Sequence, residues 1–407
     1  MAKTQAVART DSRRKERVEG PGLARFLSFV ALMATLVVTP ICLSQTPEVN
    51  RHASGNHAIS SADTASANAK TKYKGIFEPM NYPEDINLTD VVFVNDKVGW
   101  VSGGLPGRSN GVILNTQDGG AHWTVQWGDP QGSADGPQGL FFLDSTHGWV
   151  RQGYHDLLHT TNGQVWVVSG IVDAHATDYT FVSEKIGLSL KDQEIQRTAD
   201  GGRTWRPVNE CAARVQIDGL TRVVKCAWAK FHFPTATTGY VVGYISGAPF
   251  VIIGKTSDAG ATWNVSVTEP LAGEGARDVF FLDVNTGFLR TSEGQLYQTT
   301  DGGATWNPTA QTPGKRFRFA DARVGWSFFG RELYFTTDGG THWNSREFRF
   351  PVEVNAWSLP RSDQGYVVGD HGMIYHYRVV PASYAAKGIL EAPAMPLSED
   401  EAHYSKK

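Results

Sequence analysis

Beyond residue 72 the apolar positions fall in short runs separated by Gly, Asn and Asp, and no segment longer than 12 residues carries a helical period. The first unit shows the form. Runs at 90–94, 99–103, 111–116 and 122–127 alternate or are wholly apolar, and turn residues bound each of them, which predicts four consecutive strands. Upstream lies one longer apolar run, 26–38, preceded by Arg9, Arg13, Arg14, Lys15, Arg17 and Arg25. A basic segment followed by an apolar one is the order of a secretory signal. Residues 1–44 are therefore read as an export signal, with an uncleaved signal anchor as the alternative because 26–43 approaches the length of a membrane span. Residues 45–71, rich in Ser, Ala, Thr and Asn, hold almost no large apolar side chains. They cannot bury enough surface to offset ordering entropy and read as a disordered spacer. Residues 381–407, with Pro393, Pro396 and Glu399-Asp400-Glu401, read as a flexible tail. The folded body is then 72–380.

Within that body two motifs recur. One runs Thr116-Gln117-Asp118-Gly119-Gly120-Ala121-His122-Trp123 and returns with Asp200 and Trp205, Asp258 and Trp263, Asp301 and Trp306, and Asp338 and Trp343. A degenerate copy ends at Trp166. The other is a glycine followed by a large apolar residue: Gly99-Trp100, Gly148-Trp149, Gly187-Leu188, Gly239-Tyr240, Gly287-Phe288, Gly325-Trp326 and Gly365-Tyr366, seven copies spaced by 38 to 52 residues. Repeats of this length made of strands mean a propeller or solenoid. Seven four-stranded antiparallel blades fit the available length. The seventh unit stops after three strands, and the unassigned run at 73–79 precedes the first, so an N-terminal strand is expected to complete the last blade and close the ring.

Composition narrows the function. The chain has 407 residues, a formal net charge of −3 and three cysteines. Residues 1–25 contain seven Lys/Arg and three Asp/Glu, so the remainder carries 31 basic and 38 acidic groups, a net −7. An acidic body argues against nucleic acid as a partner. Scattered histidines and few cysteines give no metal-ligand spacing, and no cofactor or metal is expected. An insertion at 208–228 contains Cys211 and Cys226, and in an oxidising compartment they are expected to form a disulfide.

The first motif resembles the BNR/Asp-box repeat, Ser/Thr-x-Asp-x-Gly-x-Thr-Trp. Its aspartates accept backbone N–H bonds, its glycines take positive φ and its tryptophan packs between blades. Asp118, Asp200, Asp258, Asp301 and Asp338 are therefore structural, and no catalytic residue is assigned. Sialidases of this repeat type carry an Arg-Ile-Pro segment, which is absent here. Xyloglucan-cleaving relatives use two propellers, and sortilin-type receptors need ten blades. The units Phe142-Leu143-Asp144-Ser145-Thr146-His147-Gly148-Trp149 and Phe281-Leu282-Asp283-Val284-Asn285-Thr286-Gly287-Phe288 are similar to those of the photosystem II stability/assembly factor family. That resemblance implies an exported, non-enzymatic propeller, periplasmic or extracellular, that binds a protein partner such as a membrane protein or membrane-protein complex. A monomer is expected. The alternative is a glycan-binding or glycoside-hydrolysing propeller, for which Asp156 and Glu293 are the carboxylates nearest the expected ring mouth.

Blade topology sorts the loops onto two faces. Turns between first and second strands lie with the Asp boxes, whereas second-to-third turns and blade-to-blade connections lie opposite. Arg108, Arg151, Arg277, Arg290, Arg316 and Arg331 fall on that opposite side, which marks it as a face suited to carboxylates or an acidic partner.

Overall fold

A strand of five or six residues buries one face only by stacking on another sheet, and seven such sheets set radially each find two neighbours. The computed structural model describes residues 73–80, 82–104, 111–128, 136–217, 219–248, 250–268 and 275–393. The expected signal, spacer and end of the tail lie outside them, as does Arg108. Blade 1 comprises Asn87–Phe93, Gly99–Gly104, Gly111–Thr116 and Thr124–Gly128, paired in chain order. Blades 2 to 6 repeat that order from inner strands Gln138–Phe142, Ala176–Phe181, Ala227–His232, Ala276–Phe281 and Phe317–Phe319. The first strands of blades 7, 1, 2, 3, 4 and 5 contact one another in succession, which places them innermost.

Blade 7 begins with Val354–Arg361 and is completed by Tyr73–Pro79, which pairs antiparallel with Ile374–Pro381 from Tyr73↔Pro381 to Pro79↔Tyr375. This is the closure expected from the unit count. The chain does not leave the fold at 381, however. Leu390–Pro393 pairs with the other edge of Tyr73–Pro79, Lys74 meets Glu391, and the last blade has five strands. An edge strand left open would present unpaired backbone groups, and the added strand covers it.

The glycine-aromatic motif explains the contact between blades. Trp100 of blade 1 stacks on Phe142 of blade 2 at 3.7 Å, Trp149 on Phe181 at 4.5 Å, Tyr240 on Phe281 at 3.5 Å, Phe288 on Phe319 at 3.7 Å and Tyr366 on Phe93 at 3.4 Å. Each phenylalanine ends an inner strand, and its ring lies over the motif glycine of its own blade. A Cβ at Gly148 or Gly287 would stand 2.5 Å from that ring, so only glycine fits. The box tryptophan meets the same phenylalanine edge-on, as in Phe281 and Trp306 at 84°.

The Asp boxes are self-contained turns. Asp200 accepts from the Thr204 amide at 2.9 Å, the Thr204 hydroxyl at 2.6 Å and the Thr198 hydroxyl at 2.7 Å. Hydroxyl and amide donors of this kind hold the carboxyls of Asp200, Asp258 and Asp301 down at about 2, and the His122 amide and imidazole do the same for Asp118. A depressed folded pKa contributes stability above the unfolded value near 4 and loses it as pH falls through about 2. The urea midpoint is thus expected to decline between pH 4 and 2, and a midpoint constant over that window would contradict the role of the boxes. The first glycine of each box has φ between 69° and 77°, whereas Ala259 holds that place at 58°. Ala259→Gly removes a left-handed alanine and is expected to stabilise by about 0.5–1 kcal/mol in chemical denaturation.

Between blades 3 and 4 a hairpin of Ala212–Ile217 and Leu220–Lys225 is clamped at its base by a Cys211–Cys226 bridge, Cα atoms 5.1 Å apart. Its inward side chains Ala213 and Val215 are buried with Trp228 and Val241.

Candidate functional site: the channel and its loop face

Each inner strand has one edge that its own sheet leaves unpaired, and those backbone groups need partners. At two junctions they find one on the preceding blade, three residues before its terminal phenylalanine. In blade order this position holds Asp90, Gly139, Asp178, Lys230, Asp278, Arg316 and Ala356. Asp90 accepts from the Gly139 amide at 3.0 Å and the Ser102 hydroxyl at 3.3 Å. Asp178 accepts from the Phe231 amide at 2.9 Å and the Lys230 ammonium at 2.7 Å. Asp278 receives Arg318 at 3.4 Å. His232 takes the Phe281 amide at Nδ1, 3.1 Å away. Burial, with Arg318 and Lys230 nearby, drops that imidazole to about 3, so it stays neutral and serves as an acceptor.

Tyr179 ties blades 2 and 3 together. Its hydroxyl donates to the Gly139 carbonyl at 2.6 Å and accepts from the Arg151 amide at 2.9 Å. Burial raises the carboxyl of Asp90 as well as the phenol of Tyr179, and the charge of Arg316 opposes the shift at Asp90. These channel groups escaped the sequence reading. The signal was present as a repeated tetrapeptide, Asp90-Val91-Val92-Phe93, Asp178-Tyr179-Thr180-Phe181 and Asp278-Val279-Phe280-Phe281, but its polar first position reads as an ordinary strand end.

The described arginines divide by environment. Arg316 precedes an inner strand and is exposed, and Arg331, also exposed, sits in the second-to-third turn of blade 6, its Nε on the Phe350 carbonyl. Exposed Arg277 lies flat on Tyr244, 3.4 Å from the ring centre, and half-buried Arg151 reaches the Ala176 carbonyl at 3.3 Å. Arg290 is a correction. It is buried, bonded to the Thr312 hydroxyl at 2.6 Å and the Thr291 carbonyl at 3.1 Å, because its place opposite Asp278 turns it into the junction between strands. Asp156 and Glu293 lie on blades 2 and 5, and Asp156 is paired with His155 at 2.9 Å. Among the described residues no group of three or more His, Cys, Asp or Glu could hold a metal ion.

The seven blades, boxes and closing strand define a BNR/Asp-box seven-bladed β-propeller, similar to the photosystem II stability/assembly factor family. The family model described as photosynthesis system II assembly factor YCF48 matches residues 164–315. Among solved structures, "YCF48 bound to D1 peptide" is 19% identical with a TM-score of 0.53, covering 76% of this chain and 97% of that one. YCF48 from Cyanidioschyzon merolae is 17% identical with a TM-score of 0.52, covering 74% and 98%. A GH74 xyloglucanase from Xanthomonas campestris is 16% identical with a TM-score of 0.51, covering 79% of this chain and 56% of that one. These identities establish the shared fold. No curated protein matches the chain.

Proposed function

We propose that this propeller is an exported, non-enzymatic scaffold that holds a protein partner on the face of its second-to-third turns and blade connections, as a monomer in the periplasm or outside the cell. The observation that carries the reading is the contrast between charges. The channel aspartates Asp90, Asp178 and Asp278 are each engaged by neighbouring blades, whereas Arg277, Arg316 and Arg331 are exposed around the mouth. Guanidinium groups presented this way suit carboxylates of an acidic segment, bidentate where geometry allows. The structure of a YCF48 with a D1 peptide supports a polypeptide as the partner.

The test is a binding titration with a D1 peptide and with solubilised membrane complexes from the native host. The double variant Arg316→Glu and Arg331→Glu is expected to weaken capture at least tenfold in a chain that still unfolds cooperatively, since both side chains are exposed. Equal capture by the variant and the parent would overturn the assignment of the face. Xyloglucan turnover by the purified protein would overturn the non-enzymatic reading.

A further inference from the structure

On the opposite face, the first glycine position of every box but one is approached by a side chain from the preceding blade. Arg197 of blade 3 donates to the Ala259 carbonyl at 3.0 Å, and Lys255 of blade 4 donates to the Gly302 carbonyl at 3.0 Å. In blade 1, Trp100 and Gln126 donate to Gly163 at 3.2 and 2.9 Å. Gln298 of blade 5 lies beside Gly339, and Tyr366 of blade 7 beside Gly119. The junction of blades 2 and 3 departs from this pattern. The residue in register with Arg197 and Lys255 is His159, which pairs with Trp149 as they pair with Leu188 and Tyr240. Near the Cβ position of Gly201 stands only the Glu184 carbonyl, from the same blade.

The shorter side chain leaves a half-open cavity of about 440 Å³ whose lining includes His159, Glu184, Lys185, Asp200, Gly201 and Arg203. His159 is 8% exposed, stacked flat on Trp149 at 4.4 Å, and its buried Nε2 has no hydrogen-bond partner. The Nε1 of Trp149 beside it is likewise buried without a partner, so the groups open to the cavity are the neighbouring carbonyl and carboxylates.

We propose that this cavity receives the terminal cation of an arginine or lysine side chain carried by a bound polypeptide, seated where Arg197 and Lys255 seat their own cations in blades 3 and 4. The acceptors match that ligand. Gly201 offers the carbonyl in register with those of Ala259 and Gly302, and burial disfavours the protonated form of His159, so the wall adds no cation there. Asp200, pinned as an anion by its box donors, and exposed Glu184 bring negative charge that offsets the Lys185 and Arg203 cations of the same lining. The site lies on the face opposite the arginines and so stands apart from the partner reading above.

The full chain is titrated with N-acetyl-arginine amide and N-acetyl-lysine amide while amide resonances of Ser169, Gly201 and Gly202 are followed. N-acetyl-glutamate and spermidine are run beside them. Saturable shifts at roughly millimolar ligand are expected for the two blocked basic amino acids, as befits one side chain. His159→Arg is expected to fill the cavity from within, raise the unfolding midpoint and abolish the shifts. Glu184→Gln, at an exposed position, is expected to weaken binding about threefold while leaving the fold intact. Absence of saturable shifts, a stronger response to N-acetyl-glutamate, or an undiminished response in a folded His159→Arg variant would overturn the cation site. Preference for spermidine would overturn the polypeptide as its source.

Discussion

Removal of residues 73–79 is expected to abolish the cooperative unfolding of the whole ring. The segment carries Ile76 and Phe77, both wholly buried, and Phe77 touches Trp326, Phe348, Phe350 and Tyr377 with ring centres 5.0 to 5.5 Å apart. Each such side chain is worth about 2–5 kcal/mol when truncated. Hydrogen-bonded ladders on both of its edges are lost as well. The total rivals the roughly 5–15 kcal/mol by which ordinary domains are stable. Loss of the strand also exposes edges of both Ile374–Pro381 and Leu390–Pro393. Urea unfolding followed by tryptophan fluorescence and circular dichroism is the measurement. A transition as steep as that of the intact chain, with the same midpoint, would show that the strand is dispensable.

Phe281→Ala is expected to cost about 3–5 kcal/mol, the range for a large buried aromatic. Its ring is 2% exposed, stacked on Tyr240 of the preceding blade, edge-on to Trp306 and seated over Gly287. The damage therefore extends across the junction of blades 4 and 5, and the truncated site cannot collapse because strand pairing holds the backbones apart. Val125→Ala, at a side chain 57% exposed, should change stability by about 0.5 kcal/mol or less. Similar costs for both variants in chemical denaturation would refute the stacked-ring account of blade adhesion.

Much of this architecture was legible because each motif has a local physical cause. A box aspartate closes its own turn within four residues, as Asp301 does with Thr305, and so survives as a pattern in the chain. The glycine of Gly287-Phe288 was legible for a related reason, although the clash that requires it comes from Phe281, six residues earlier. What escaped depends on contacts between units. Asp178 acquires its role only when Phe231 and Lys230, more than fifty residues away, arrive beside it. Arg290 looks like any strand-end arginine until Thr312 closes over it. Leu390–Pro393 has the composition of a tail, and only the free edge of Tyr73–Pro79 makes it a strand.

The closing strand also dictates an order of events during synthesis. Tyr73 leaves the ribosome long before Pro381, yet the two are directly paired in the finished ring. Local hairpins of blades 1 to 6 can form as they emerge, but the ring can close only after the last residues of blade 7 arrive. Until then Phe93 lacks the covering face of Tyr366, and Phe77 waits beside unpaired backbone. The nascent molecule thus passes through an open arc with an apolar face at one end and a bare strand at the other, the two kinds of surface that drive aggregation of large β proteins. Folding yield, rather than final stability, is where changes near Tyr73 or Pro381 will first be felt.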